Sequence, residues 1–510
     1  MRSPLDTPLE QLLTNAWNGI DPAYRKAFLF ILAINLLAFG FELSNLTLHH
    51  DDVAHIFIQD TILGHYLGRF GFGWLHYHTQ NAYIMPFLQM AEAIVLMSGY
   101  GLLIARLWGA HKTLDIVLIS SVMCVFPYMA QIYQYNACTA PFALAHFLAA
   151  AAVFLSIRGK ILGAVAAALL YAAAFSIYQS VLANAATIFC IWLLARLLFA
   201  RPEEPFAWKA MAKTSISALL AVGVGGLIYM AAVSTMDLKF DSYQAAGQAF
   251  NLSEGLNLPH AATEILKESR GFFFWPENYF PGYLKNIQLL LLAVAALFCL
   301  WLPRGLAAKF GALTLLILAM FSPRLLQLMH PAGHYHALTL TAYAVLIAGC
   351  VMVINRAGQT LTRNLSIVVT AILIAGFILQ SNWISTVNYL NTLAHYTTLT
   401  QILAHARSLP ATDWDGKKIV VVGSYNMRSE YPFKGATGVA SEYMDVVHMQ
   451  HLARLMRDDV IFLQADDKTP GALQYAATHQ PWPNPSSVGV VDGVGVVVLS
   501  KRSKQPIPAE

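Results

Sequence analysis

Eleven apolar runs, each near the twenty residues needed to cross a bilayer as a helix, constrain this chain more than any motif does. They fall near 24–48, 83–105, 113–134, 139–157, 161–179, 181–200, 212–235, 285–302, 309–329, 335–355 and 364–382. "SIYQSVLAN" breaks the apolar pattern of 161–200 only briefly, so that stretch is the one open to miscounting. Charged residues make up 12% of the sequence, against about 25% for a soluble domain. A soluble enzyme with a large core is thereby excluded. A net charge of +4 gives no reason to expect nucleic acid. The five cysteines (Cys124, Cys138, Cys190, Cys299, Cys350) lie in or beside apolar runs without CxxC spacing, as buried small hydrophobes do.

The connectors divide into two sets that alternate along the chain. One is basic: Arg25 and Lys26; Arg106 and Lys112; Arg158 and Lys160; Arg196, Arg201, Lys209 and Lys213; Arg304 and Lys309; Arg356 and Arg363. The other, poorer in Lys and Arg, holds a first loop at 49–82, then 135–138, a long loop at 236–284, 330–334 and the tail. The positive-inside bias puts the basic set in the cytoplasm. The expected organisation is a cytoplasmic segment 1–23, a transmembrane domain 24–382 and an extracytoplasmic α/β domain 383–510. In the tail, "KKIVVVG" and "VIFLQAD" read as buried strands and "SEYMDVVHMQHLARLM" as a helix. "VGVVDGVGVVVLS" reads as a hairpin turning at Asp492-Gly493.

With that orientation, "HHDDVAH" (49–55) stands on the outer face, just after the first span. Three readings of it stay open. Asp51 or Asp52 is a general base beside a polar cavity; or His49, His50 and His55, with His330, His334 and His336 from another outer connector, bind a metal ion; or the aspartates cap a helix. Residues 53–70 can be drawn as an imperfect amphipathic helix lying in the interface. Arg324, in "FSPRLLQLMHPAGHYH", is an arginine at membrane depth. Such a residue is a functional candidate by default, and a phosphate suits its bidentate fork. Arg69, Lys267 and Arg270 would complete an outward cationic pocket. "GFFFWPENYFPGYL" reads as an interfacial belt or re-entrant segment. Tyr135 and Asn136 in "QIYQYN", and Tyr178 and Gln179 in "SIYQS", place groups at outer helix ends that can hydrogen-bond sugar hydroxyls or anchor the helices at the interface.

The order of "HHDDVAHI", "LGRFG" (67–71), "SIYQS" (176–180), "SPR" (322–324) and "SEYMDVV" (441–447) resembles the glucosyl transferase II family of serotype-converting O-antigen glucosyltransferases, of the GT-C membrane superfamily. The resemblance implies a polytopic α-helical protein of the bacterial inner membrane, with about eleven spans and a periplasmic C-terminal domain. It implies transfer of a hexose, glucose foremost, from a polyprenyl-phosphate donor to a hydroxyl of a surface polysaccharide such as O-antigen. An essential acid is expected in the first outer loop, which here means Asp52 with Asp51 shaping the site, or the reverse. Direct displacement with one carboxylate base implies inversion. Arg324, Arg69, Arg270 and Lys267 would bind the donor phosphate, and Tyr135, Asn136, Tyr178, Gln179, His334 and His336 the sugar or acceptor. No cofactor is required on this reading; a divalent metal at His49, His50 and His55 is the weaker alternative. The same chemistry on a pilin or other exported protein, another sugar, a lipid-linked sugar flippase and a non-catalytic assembly subunit are the competing expectations.

Overall fold

The structure is a computed structural model. It describes residues 8–49, 52–53, 68–80, 83–158, 160–199, 208–236, 257–275, 277, 279–303, 305–328, 335–410, 417–426 and 443–501. The membrane part comprises α1 (Leu9–Asn18), α2 (Pro22–Ser44), α3 (Phe70–Gln80), α4 (Pro86–Leu107), α5 (Thr113–Cys124), α6 (Pro127–Tyr133), α7 (Thr139–Ser156), α8 (Ile161–Ile177), α9 (Val181–Leu198), α10 (Trp208–Ser234), α11 (Leu258–Phe274), α12 (Gly282–Trp301), α13 (Leu306–Phe321), α14 (Ala342–Ala357) and α15 (Thr360–Ser408). Two short 3-10 turns, Ser322–Leu328 and Ala337–Leu340, precede α14.

Among the described residues nine helices are long and apolar enough to cross a membrane. The bent pair α5–α6 makes a tenth, and the seventeen-residue apolar α8 falls just short of that length. Each of the eleven expected runs overlaps one of these. The 52° bend has a local cause. Pro127 supplies no N–H, and it forces Phe126 out of helical geometry. α6 therefore starts afresh as a short helix, about 10 Å long at 1.5 Å per residue.

α14 is buried along nearly its whole length and α9 along most of its own, which makes them the centre of the bundle. Leu219, Leu220 and Leu227 of α10 and Leu297, Leu300 and Trp301 of α12 stay exposed, as suits surfaces facing lipid. α8 and α10 touch backbone to backbone at Gly225, where a Cβ would stand 2.7 Å from the Ala168 carbonyl oxygen. Four of the five cysteines are buried and Cys190 is half-buried.

The interfacial helix expected over 53–70 lies outside the described residues except at its ends; the helix that follows is α3, Phe70–Gln80. No break marks residue 382. α15 runs 49 residues without interruption, roughly 70 Å at the ideal rise, more than twice the hydrocarbon thickness of about 30 Å. The expected domain boundary thus falls inside one helix.

Beyond it come β1 (Lys418–Val422), β2 (Tyr425–Asn426), β3 (Tyr443–Met444), α16 (Val446–Leu455), β4 (Ile461–Gln464), α17 (Pro470–Thr478), β5 (Val488–Val491) and β6 (Val494–Val498). One sheet has the order β4-β1-β6-β5, with β1 parallel to both neighbours. The β5–β6 hairpin turns at Asp492 and Gly493, both at positive φ, as a two-residue turn matched to strand twist requires. One face of the sheet packs on α17 through Val420, Val422, Val496, Ala472 and Ala476. The other packs on α16 and the end of α15, and that same apolar cluster takes in Leu48 and Val53 of the loop after α2. The tail and the first loop therefore share one core.

Candidate active site

Asp52 is wholly buried at 0% exposure. Its Oδ2 accepts from the His49 backbone N–H at 3.1 Å and from Asn136 Nδ2 at 2.8 Å. The Ala137 N–H lies 3.5 Å from Oδ1. Asn136 also donates to the Thr47 carbonyl at 2.7 Å, stitching the start of the loop to the turn after α6. Leu48 and Val53 seat the same loop in the tail's core, so the carboxylate is clamped from two sides. Beside it stands a second acid, Glu42 near the end of α2, which accepts from Thr47 Oγ1 at 2.6 Å and lies within electrostatic reach of Asp52.

Arg69 follows Gly68, whose φ of +66° and closeness to the Tyr229 hydroxyl, 2.6 Å from where a Cβ would be, leave room for glycine alone. The guanidinium lies 5.2 Å from the Tyr178 ring and 5.3 Å from the Phe142 ring, two rings stacked 4.0 Å apart. Its Nε donates to Gln179 Oε1 at 3.3 Å, and Gln179 donates on to the Tyr229 hydroxyl at 2.9 Å. Among the described residues Arg69 has no carboxylate partner.

Arg324 sits in different company. Its Nη1 is 3.6 Å from Glu268 Oε2 of α11, and its Nε donates to the Tyr343 hydroxyl at 3.4 Å. Tyr343 stacks on Phe272 at 3.6 Å. Nearby Glu277 accepts a short hydrogen bond from Tyr128 and pairs with Lys285 at 3.5 Å. Burial holds the Glu277 carboxyl above its ordinary value, while the Tyr128 hydrogen bond and the charges of Lys285 and Arg324 pull it back. Here cations and anions are matched.

α6 joins all three groups. Tyr128 at its start reaches Glu277, and Asn136 just past its end reaches Asp52. Between them Gln131 Oε1 accepts from the Leu338 N–H at 2.7 Å. The Leu338 carbonyl in turn accepts from the Tyr178 hydroxyl, beneath Arg69, at 2.9 Å.

The remaining expected residues are more scattered. Tyr135 packs its ring against His49, centroids 4.0 Å apart. His336 opens the Ala337–Leu340 turn, its carbonyl accepting from Thr339. Lys267 pairs with Glu264 at 3.1 Å on the exposed side of α11, where Arg270 is also exposed. Asp51, His50, His55, His330 and His334 lie outside the described residues. Among those described, no group of three or more His, Cys, Asp or Glu side chains could hold a metal ion.

A model of the glucosyl transferase GtrII family matches residues 40–354, more than half of the chain. The chain belongs to that family. It is a multi-pass glycosyltransferase, and Asp52, Arg69, Glu277 and Arg324 all fall within the matched region. α15, the sheet and "SEYMDVV" lie beyond it. No curated protein matches the chain.

Beside the expected residues stand polar groups that the sequence alone did not single out. Glu42 interrupts an apolar run, a costly placement that was itself a signal. Glu268, Glu277 and Lys285 gave none, because their partners come from distant segments.

Proposed function

We propose that the transferase moves glucose from a polyprenyl-phosphate donor to a hydroxyl of a surface polysaccharide such as O-antigen, at the outer face of the bacterial inner membrane, with inversion. Asp52 is the base. The observation that carries this reading is two groups linked through α6 and the turn after it: a buried carboxylate fixed by Asn136, and Arg69, a cation with no carboxylate partner among the described residues.

The step balances simply. The acceptor oxygen forms a bond to the anomeric carbon as the bond from that carbon to the lipid phosphate breaks, and the phosphate keeps the electron pair. Asp52 takes the acceptor's proton. A lipid phosphate is already a weak base, so it needs stabilisation of charge rather than a protonating acid. Arg69 can supply that with its Nη1–Nη2 edge, which no described residue occupies, beside a low-polarity aromatic pair. Arg324, Lys267 and Arg270 remain further candidates, the first two with their charge already partly answered by Glu268 and Glu264.

The test is transfer from polyprenyl-phosphate glucose by the purified protein in lipid discs. Asp52→Asn should lower the rate by about 10²–10⁴-fold, the usual worth of a positioned base, with membrane insertion and melting temperature retained. Activity kept in Asp52→Asn and lost in Asp51→Asn would move the base by one residue; activity in the double variant would end the base assignment. Failure of the unaltered protein to use any polyprenyl-phosphate sugar would remove the donor. The anomeric configuration of the product reads inversion directly.

A further inference from the structure

Along α15, Ser381, Ser385, Asn388, Asn391, Thr392, His395 and Thr398 recur at three- and four-residue spacing, so they share a face, and every one is buried. Buried polar groups are normally matched, and part of this face is. Thr392 Oγ1 accepts from the Leu48 N–H at 3.2 Å, and His395 pairs with His448 across 3.1 Å. Asn388 and Asn391 are different. They are 4% and 1% exposed, and among the described residues neither the oxygen nor the nitrogen of either amide meets a partner. Gln134, just past α6 and 3% exposed, leaves both its amide atoms in the same state.

Gln134 and Asn388, with Thr47, Leu48 and His49, line a partly open cavity of about 10 Å³, the room needed for one water-sized oxygen. Among the described residues its walls hold no carboxylate to attract a divalent cation and no Lys or Arg to hold a phosphate. An amide presents N–H donors beside a carbonyl acceptor, which is the complement of a hydroxyl group. The cavity also shares walls with the base: the His49 N–H binds Asp52, and the Thr47 carbonyl binds the Asn136 that holds it.

We infer that Gln134 and Asn388, backed by Asn391 one turn further along α15, bind and select one hydroxyl of a neutral sugar during transfer. The hydroxyl oxygen accepts from one amide nitrogen, and its proton goes to an amide oxygen. This rests on the glycosyl transfer proposed above. It also gives α15, which lies beyond the family match, a part in choosing the sugar. The hydroxyl belongs either to the donor sugar or to the acceptor glycan, and the chemistry of the cavity is the same for both.

The experiment compares the unaltered protein with Asn388→Leu and Gln134→Met on two series. One is polyprenyl-phosphate glucose with analogues each lacking one hydroxyl, assayed by transfer to acceptor and to water. The other is acceptor glycan with matching single-hydroxyl deletions. The unaltered protein should disfavour one analogue by about 10²-fold or more, as a site built around a hydroxyl does. In the variants that ratio should fall to about tenfold or less, and the series in which it falls names the source. Melting temperature should hold or rise, since an unpartnered buried amide is being removed. An equal loss of rate for every analogue in both series would overturn the inference, leaving a bound water or a packing role only. Should the unaltered protein transfer from no polyprenyl-phosphate sugar, the function proposed above fails. The cavity is then judged by binding: a thermal shift with methyl glucoside that both variants lose keeps the inference, and no shift in the unaltered protein overturns it.

Discussion

At the Tyr128 end of α6 charge meets charge, with Arg324 against Glu268 and Lys285 against Glu277, whereas at the other end a carboxylate is held by neutral donors and three nearby amides go without partners among the described residues. Between the two, Arg69 rests on stacked rings with a neutral amide for company. A matched network answers its own electrostatics and keeps α11, α12 and the turn before α14 in register. Groups left unanswered cost stability unless something else answers them. The contrast assigns structure mainly to the first end and ligand chemistry mainly to the second.

After the loss expected of Asp52→Asn, the largest effect should come from Arg69. Arg69→Ala should reduce kcat by about 10²–10³-fold, the usual worth of one group stabilising a developing negative charge, and raise the KM for donor. Arg69→Lys should recover little, because an ammonium lacks the flat fork of a guanidinium. Arg324→Ala should cost about 1–3 kcal/mol of stability, below the usual value for breaking a buried pair because Glu268 can turn to solvent. Its kcat should stay within about tenfold of the unaltered enzyme's on the same scale. Thermal unfolding and steady-state rates on the two alanine variants settle it. A larger rate loss at Arg324 than at Arg69 would break the comparison and return the phosphate to the ionic end.

The smallest effect concerns pH. The carboxyl of Glu277 is raised in the folded protein above its ordinary 4.5, so the folded state holds that proton more tightly than the unfolded one. Its contribution is full below about pH 4.5 and declines as pH rises through the folded value. Glu277→Gln should flatten that part of the stability–pH curve. An unchanged slope would remove Glu277 as its source.

Much of the architecture was legible because a bilayer demands about twenty apolar residues per crossing and punishes departures. The runs near 24–48 and 335–355, for example, reappear as α2 and α14. The Asp492-Gly493 turn was equally plain, since few residues accept positive φ in tandem. The long α15 was not. Its Ser, Asn, Thr and His residues lower the apolar content past 382, so a composition-based reading ends the span there, and only their three- and four-residue recurrence hints at a buried face. Within the site, Asp52 stood out by its place after the first run. Its hold by Asn136, 84 residues along the chain, did not.

By itself, then, the sequence determined which segments form apolar spans and which local turns form, because those depend on the nearest few residues and on the surrounding solvent. Which cation is neutralised, which amide is left waiting and which distant helix clamps the first loop were decided only in the folded molecule. A side chain's electrostatic state depends on what packs against it, and those neighbours here come from segments tens to hundreds of residues apart.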